Sequence, residues 1–179
     1  MMMLAEDPRT QAEASNYSAV ERLLDGRQVE IRALQPNDVD GLKSAIAHIS
    51  PDSLYRRFFG PKRFFSDKEV AHFMNVDFVK HVALVAIADA AIVAGGRYFV
   101  VAPGAAEVAF AIVDEYQGRG LGTALLRHLI AIARRAGLKE LVAHVLPDNR
   151  PMLSVFSKSG LRVRTRREHG AVKVTMELS

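Results

Sequence analysis

The sequence predicts an α/β (α+β) domain, a mixed twisted sheet of about six to seven strands flanked by helices. Three observations carry this. Between His81 and Val113 three apolar runs follow one another with short turn signals between them, the pattern of an antiparallel meander. A glycine-rich stretch, Tyr116-Gln117-Gly118-Arg119-Gly120-Leu121-Gly122-Thr123, then separates the last of those runs from a helix with one apolar stripe. Leu141–Leu146, strand-like again, follows that helix, so a central βαβ unit paired in parallel with Glu107–Val113 is expected.

Residues 1–26 lack sustained periodicity and are rich in Ala, Glu, Ser and Asn, which reads as a flexible tail or a fraying helix and leaves residues 27–179 as the domain. Structure is expected to begin at Arg27–Leu34, where Val29, Ile31 and Ala33 alternate with polar residues. Asn37 or Asp38 is placed to cap a helix running to about His48. Ser50-Pro51 pairs a cap with proline at the first helical position, opening a short helix that stops at Gly60-Pro61. Ser66-Asp67-Lys68-Glu69 fits a capping box ahead of a third helix through about Met74. These helices are rich in Phe and either wall a substrate cleft or fill the core.

In the meander, Asp89-Ala90 turns His81–Ala88 into Ile92–Val101, and Pro103-Gly104 turns that run into Ala106–Val113. Within the last run Glu107, Ala109, Ala111 and Val113 share one face, and Val108, Phe110 and Ile112 the other. Leu121, Leu125, Leu129, Ile132 and Ala136 then mark the buried stripe of the long helix. Arg134 and Arg135 suit its negative end, and Gly137 is the expected left-handed stop. Asp148 or Asn149 caps a further helix ending near Gly160. Leu161–Glu168 and Ala171–Leu178 close the chain as a hairpin around His169-Gly170.

Composition narrows the function. Hydrophobic residues at 49% and charged residues at 25% are those of a globular protein with a real core. No apolar run approaches the roughly 20 residues that cross a bilayer. Met1–Thr10, with Glu6 and Asp7, is not a secretory signal, so a cytoplasmic location and no membrane partner are expected. Without cysteine there is no disulfide framework, thiol nucleophile or Cys-based zinc site, and no His/Asp/Glu cluster suggests a metal. A net charge of +4 suits an anionic ligand, but scattered Arg without interleaved aromatics argues against nucleic acid.

The glycine loop is where chemistry is expected. Glycines let a ligand approach the main chain, and a helix opening at Gly120 aims unpaired N–H groups and a positive dipole end into the loop. Such a loop suits a pyrophosphate, or is a tight strand-to-helix connection and nothing more. It lacks the Gly-Lys-Ser/Thr ending that holds ATP and magnesium.

Gln117-Gly118-Arg119-Gly120-Leu121-Gly122, with the order of elements around it and Asn149 through Gly160-Leu161 downstream, resembles the GNAT-family N-acetyltransferases. Ser50-Pro51-Asp52-Ser53-Leu54-Tyr55-Arg56-Arg57-Phe58-Phe59 and Asn149-Arg150-Pro151-Met152 are similar to the acetyltransferase domain of bacterial Pat-type protein-lysine acetyltransferases. The resemblance implies acetyl-CoA as co-substrate, its pyrophosphate on the main chain of Gln117, Gly118, Gly120, Leu121, Gly122 and Thr123. Pantetheine is expected along Ala111, Ile112 and Val113, with the N–H near Val113 polarising the thioester carbonyl. Asn149 either bonds the pantetheine arm or caps its own helix, and Arg119 either meets a CoA phosphate or is solvated. The implied acceptor is an amine, a protein lysine such as one on an acyl-CoA synthetase, or a small molecule. Residues 55–59 are expected on its side of the cleft.

Glu107 is the candidate general base. Glutamate is depleted in strands, and in Pat-type domains the catalytic glutamate falls in a matching Glu-apolar-Ala-Phe run. The alternative is a solvent-facing carboxylate beside a turn. His144 is the reserve base. Many GNAT enzymes carry a tyrosine that protonates the leaving thiolate where this chain has Phe156. That departure leaves room for a non-catalytic acyl-CoA sensor.

Overall fold

The computed structural model describes residues 7–60, 62 and 65–179. Helix α1 (Pro8–Ser15) and strands β1 (Ser18–Arg22) and β2 (Gln28–Ala33) lead into helices α2 (Val39–Ala47), α3 (Pro51–Phe58) and α4 (Asp67–Met74). Strands β3 (His81–Ala88), β4 (Ala91–Ala102) and β5 (Ala105–Ile112) form the meander. Helix α5 (Leu121–Arg135), β6 (Glu140–Val145), α6 (Arg150–Ser157), β7 (Arg162–Glu168) and β8 (Ala171–Glu177) complete the chain. One sheet of eight strands runs β1-β2-β3-β4-β5-β6-β8-β7. All its neighbours are antiparallel except β5 and β6, which pair in parallel across α5 as the expected βαβ unit.

Local chemistry explains the starts of the helices. Ser66 and Glu69 close a reciprocal capping box on α4, and the Ser50 hydroxyl accepts from the N–H of Ser53 ahead of Pro51 in α3. Asp38, one of the two expected caps, takes the N-cap position of α2, but its side chain makes no cap hydrogen bond to that helix. Gln35 caps a single 3₁₀ turn at Pro36–Asp38, and the Asp38 carboxylate accepts the Gln35 N–H at 2.7 Å. The same carboxylate receives both Arg32 Nη atoms at 2.8 Å, and that charge-assisted pair holds the Asp38 carboxyl below its ordinary range. Pro61, part of the expected stop after α3, lies outside the described residues, as do Met1–Glu6.

The larger correction concerns the segment read as a flexible tail or a fraying helix. From Asp7 it forms α1 and β1, and β1 pairs with β2 from Ser18↔Arg32 to Arg22↔Gln28, supplying the eighth strand. Its tertiary anchors lie more than a hundred residues away. The Tyr17 hydroxyl meets His128 Nδ1 on α5, and Glu21 accepts from His128 Nε2 at 2.6 Å and Arg127 at 2.5 Å. A periodicity window has no access to such partners, and β1 buries no residue fully.

The two faces of the sheet are unequal. On one, α5 buries Leu121, Leu125, Leu129 and Ile132 against Val108 and Phe110, in a cluster that also holds Phe156 of α6. Each such side chain contributes roughly 1.5–3 kcal/mol of gross hydrophobic free energy. On the other, a smaller cluster gathers Leu34, Ala45, Ala83, Val85, Ile92 and Val113 beneath α2. Among the described residues no helix is long and apolar enough to cross a membrane.

Candidate active site

Strands β5 and β6 pair only over Ala105↔Glu140, Ala106↔Leu141 and Glu107↔Val142, although both continue further. Beyond Glu107 they part, and β5 is hydrogen-bonded to β4 alone. Val113 N–H donates to the Val93 carbonyl at 2.9 Å. The alternation of an antiparallel ladder therefore sends odd-numbered amides of β5 toward β4 and turns those of Val108, Phe110 and Ile112 into the gap. This corrects the expectation for the thioester-polarising group. The N–H of Val113 is already taken, and Val113 is absent from the cleft lining, whereas Ala111 and Ile112 belong to it.

The gap opens into a cavity of about 790 Å³. Its far wall is the glycine loop. Gly118 and Gly120 sit at φ +71° and +87°, in the left-handed region that favours glycine. Gly120 is the N-cap of α5 and offers no side-chain acceptor. Among the described residues no group accepts the N–H of any residue from Gly118 to Thr123. Uncapped amides at the positive end of a helix of 15 residues are an anion site. Gln117, Gly118, Gly120, Leu121, Gly122 and Thr123 all line the cavity. Gln117 also ties the loop down, its Nε2 donating to Ser53 Oγ at 3.1 Å and the Ile112 carbonyl at 3.0 Å.

At the fork stands Glu107, its carboxylate reached by His144 Nδ1 at 3.3 Å from β6. It is the sole acidic residue of the cavity wall among the described residues. The side of the cavity expected to face the acceptor is walled by α3, with Arg56, Arg57, Phe58 and Phe59 in the lining; Tyr55 is not part of it. Burial pulls the Arg57 guanidinium below its ordinary value, and the nearby Glu107 charge opposes that shift. Helix α4 props the wall from behind through neutral His81. Nδ1 of His81 donates to the Asn75 carbonyl at 3.0 Å, and Nε2 accepts from Arg97 at 3.0 Å. Burial first, and the Arg97 charge second, push His81 down to about 4. Burial likewise lowers Arg97 to about 10.

The remaining expected site residues divide. Asn149 lines the cavity while its Oδ1 accepts from Met152 N at 3.4 Å, a long helix cap. Arg119 turns away, donating to the Glu115 carbonyl at 2.9 Å and to Asp25 at 3.1 Å. Phe156 is 2% exposed and packs against Phe110 at 6.0 Å between ring centroids, an apolar body with no proton to give. Leu24 escapes the sequence reading. The turn between β1 and β2 docks on the loop through Leu24 N–H to the Arg119 carbonyl at 3.0 Å, placing an 83% exposed leucine at the cavity mouth. Asp25-Gly26 was the available signal, a hairpin-turn dipeptide. Among the described residues no group of His, Asp and Glu is placed to hold a metal ion.

Comparison with known proteins agrees with this geometry. The chain is 35% identical over 138 residues to the acetyltransferase PA5475 of Pseudomonas aeruginosa, covering 74% of each chain. It is 30% identical over 161 residues to the acetyltransferase Pat of Mycolicibacterium smegmatis, covering 86% of this chain and 46% of that one, so it spans just under half of Pat. The crystal structure of the GNAT domain of PAT from S. lividans superposes with a TM-score of 0.84 at 35% identity, over 89% of this chain and 96% of that domain. Residues 50–161 match the profile of the Acetyltransferase (GNAT) family. With a forked β5–β6 pair opening beside an uncapped glycine loop, the chain belongs to the GNAT family of acetyltransferases.

Proposed function

We propose that the chain transfers the acetyl group of acetyl-CoA directly to a primary amine, a protein lysine, with Glu107 as general base. One observation carries the reading: the cavity that holds the free amides of Gly118–Thr123 at one end has its single described carboxylate, Glu107, at the other, where β5 and β6 part. The diphosphate rests on those amides, and pantetheine lies in the gap beside Val108, Phe110 and Ile112. An acceptor lysine, with an ordinary pKa of about 10.4, arrives as the ammonium form. Glu107 takes one proton, directly or through water, and the freed nitrogen attacks the thioester carbon. A strand amide facing the gap steadies the charge that develops on the carbonyl oxygen. The N–C bond forms, the C–S bond breaks with its electron pair leaving on sulfur, and the acylated nitrogen gives its second proton to solvent, leaving a neutral amide. Because Phe156 offers no proton, CoA departs as thiolate or is protonated by water; ordinary thiols near pKa 8.5 make this feasible close to neutrality.

The protein-lysine acceptor draws its support from the likeness to Pat and to the PAT domain, with acyl-CoA synthetases as the first proteins to try. A general base is worth about 10²- to 10⁴-fold. Glu107→Gln is therefore expected to lower turnover at least tenfold while acetyl-CoA binds within twofold of wild type by calorimetry. Unchanged turnover would reject Glu107 as base. The buried Phe156 favours a second reading, a non-catalytic acyl-CoA sensor. Acetyl-CoA binding without CoA release across amines and proteins would select it.

A further inference from the structure

We propose that the acceptor end of the cleft contains an anion subsite built on Arg57, with Arg97 behind it. The acceptor would carry a carboxylate close to the amine that receives the acetyl group. This rests on the acetyltransferase reading above and goes on to name the class of acceptor.

Arg57 borders two spaces at once, the main cleft and a side cavity of about 70 Å³ between α2, α3, α4 and the β4–β5 face. The charged residues of the side cavity's described lining are Arg57 and Arg97, set among Phe58, Phe65, Phe73 and Phe110. The main cleft repeats the imbalance, with Arg56, Arg57 and Lys158 facing Glu107 alone. Neither Arg57 nor Arg97 has a carboxylate within ion-pair distance among the described residues. The guanidinium of Arg57 lies over the Phe58 ring at 4.7 Å, and that of Arg97 over Phe73 at 5.2 Å, with Arg97 Nη1 donating to the Phe73 carbonyl at 2.9 Å. Their partners are neutral.

Two neighbouring guanidinium groups on an apolar cavity repel one another and lose hydration, a costly arrangement in the absence of an anion. Burial pulls both below their ordinary values, against the Glu107 charge at Arg57 and reinforced by the Arg57 charge at Arg97. An ammonium entering this field is also repelled unless it brings negative charge with it. A carboxylate resolves both conflicts: it fits a small space, pairs with a planar guanidinium through two parallel hydrogen bonds, and turns the amine toward Glu107. The CoA phosphates have their own donors at the opposite end, in the amides of Gly118–Thr123. The carboxylate has two possible sources, the α-carboxylate of a free amino acid or an acidic side chain next to a protein lysine.

Matched acceptor pairs distinguish the sources: free lysine against lysine amide, and a lysine peptide with an adjacent Glu against the same peptide with Gln. Each is measured as kcat/KM for CoA release and by calorimetric titration of the CoA-bound protein. In at least one pair the carboxylate member is expected to exceed its amide partner tenfold, and that pair identifies the source. Arg57→Gln should bring the ratio within twofold and Arg57→Lys should retain part of it, with acetyl-CoA affinity changed less than twofold in both. Equal wild-type values within both pairs would overturn the subsite. So would an equal loss for both members in Arg57→Gln with a displaced pH profile, which would make Arg57 a positioning residue for Glu107. If no acceptor releases CoA, the transferase reading fails and the calorimetric arm decides the subsite: tighter binding of a carboxylate member supports it, and equal binding sinks it.

Discussion

The two walls of the cleft are built from different materials. The wall proposed to seat the cofactor is main chain: amides from Gly118 to Thr123 on one side and the unpaired edge of β5 on the other. Its side chains point elsewhere, as Arg119 does toward Asp25, or fix the loop, as Gln117 does through Ser53. The wall proposed to face the acceptor is side chain: Arg57, Phe58 and Phe59 at the end of α3, braced by Arg97, His81 and the carbonyls of Phe73 and Asn75. A backbone wall tolerates sequence change wherever its φ angles survive. A side-chain wall changes its ligand with each substitution and responds to pH.

The sharpest test of that contrast is acid. His81 is held neutral in the fold at about 4 against an ordinary 6.5. A group depressed in the folded state contributes stability that is present above its unfolded pKa and is lost as pH falls through the folded one. Between about pH 6.5 and 4 the protein should thus lose on the order of 3 kcal/mol, at 1.36 kcal/mol per unit. His81→Gln should flatten this part of the stability curve in urea titrations; an unaltered slope would take the brace away from His81. Next come the loop glycines. Gly120→Ala forces a side chain to φ +87° and brings its Cβ to 3.2 Å from Leu24 Cγ, so about 1–2 kcal/mol and roughly tenfold in acetyl-CoA affinity are expected to go. Gly118→Ala has a similar φ of +71° but open space around it, and should cost about 1 kcal/mol, the backbone strain alone. Reversal of that order in calorimetry would mean that aim, not strain, governs the loop. The smallest effect belongs to Arg119→Ala. Loss of an exposed pair with Asp25 should leave stability nearly unchanged, with acetyl-CoA affinity within twofold. A large fall would return Arg119 to the phosphates.

The same contrast explains what was legible in the sequence. Alternating Gly118, Gly120 and Gly122 announce a backbone site because the first two angles favour glycine, and periodicity placed α5 and the meander within a residue or two. Glu107 stood out as a carboxylate in an apolar strand, and the structure sets it at the fork with His144 beside it. Legibility ended where a feature depends on distant partners. Strand β1 is held by His128 and Arg127, the role of Val113 N–H is decided by Val93, and the direction of Arg57 is set by packing around α3. None of these leaves a local pattern.

The docking of the β1–β2 turn on the glycine loop has a practical corollary. Periodicity places the domain edge at residue 27, yet Leu24 and Asp25 brace the segment proposed to seat the diphosphate, through the carbonyl and the guanidinium of Arg119. Trimming the chain at that edge would remove a splint from the loop while leaving every glycine in place. Leu24 and Asp25 thus belong to the scaffolding of the proposed cradle.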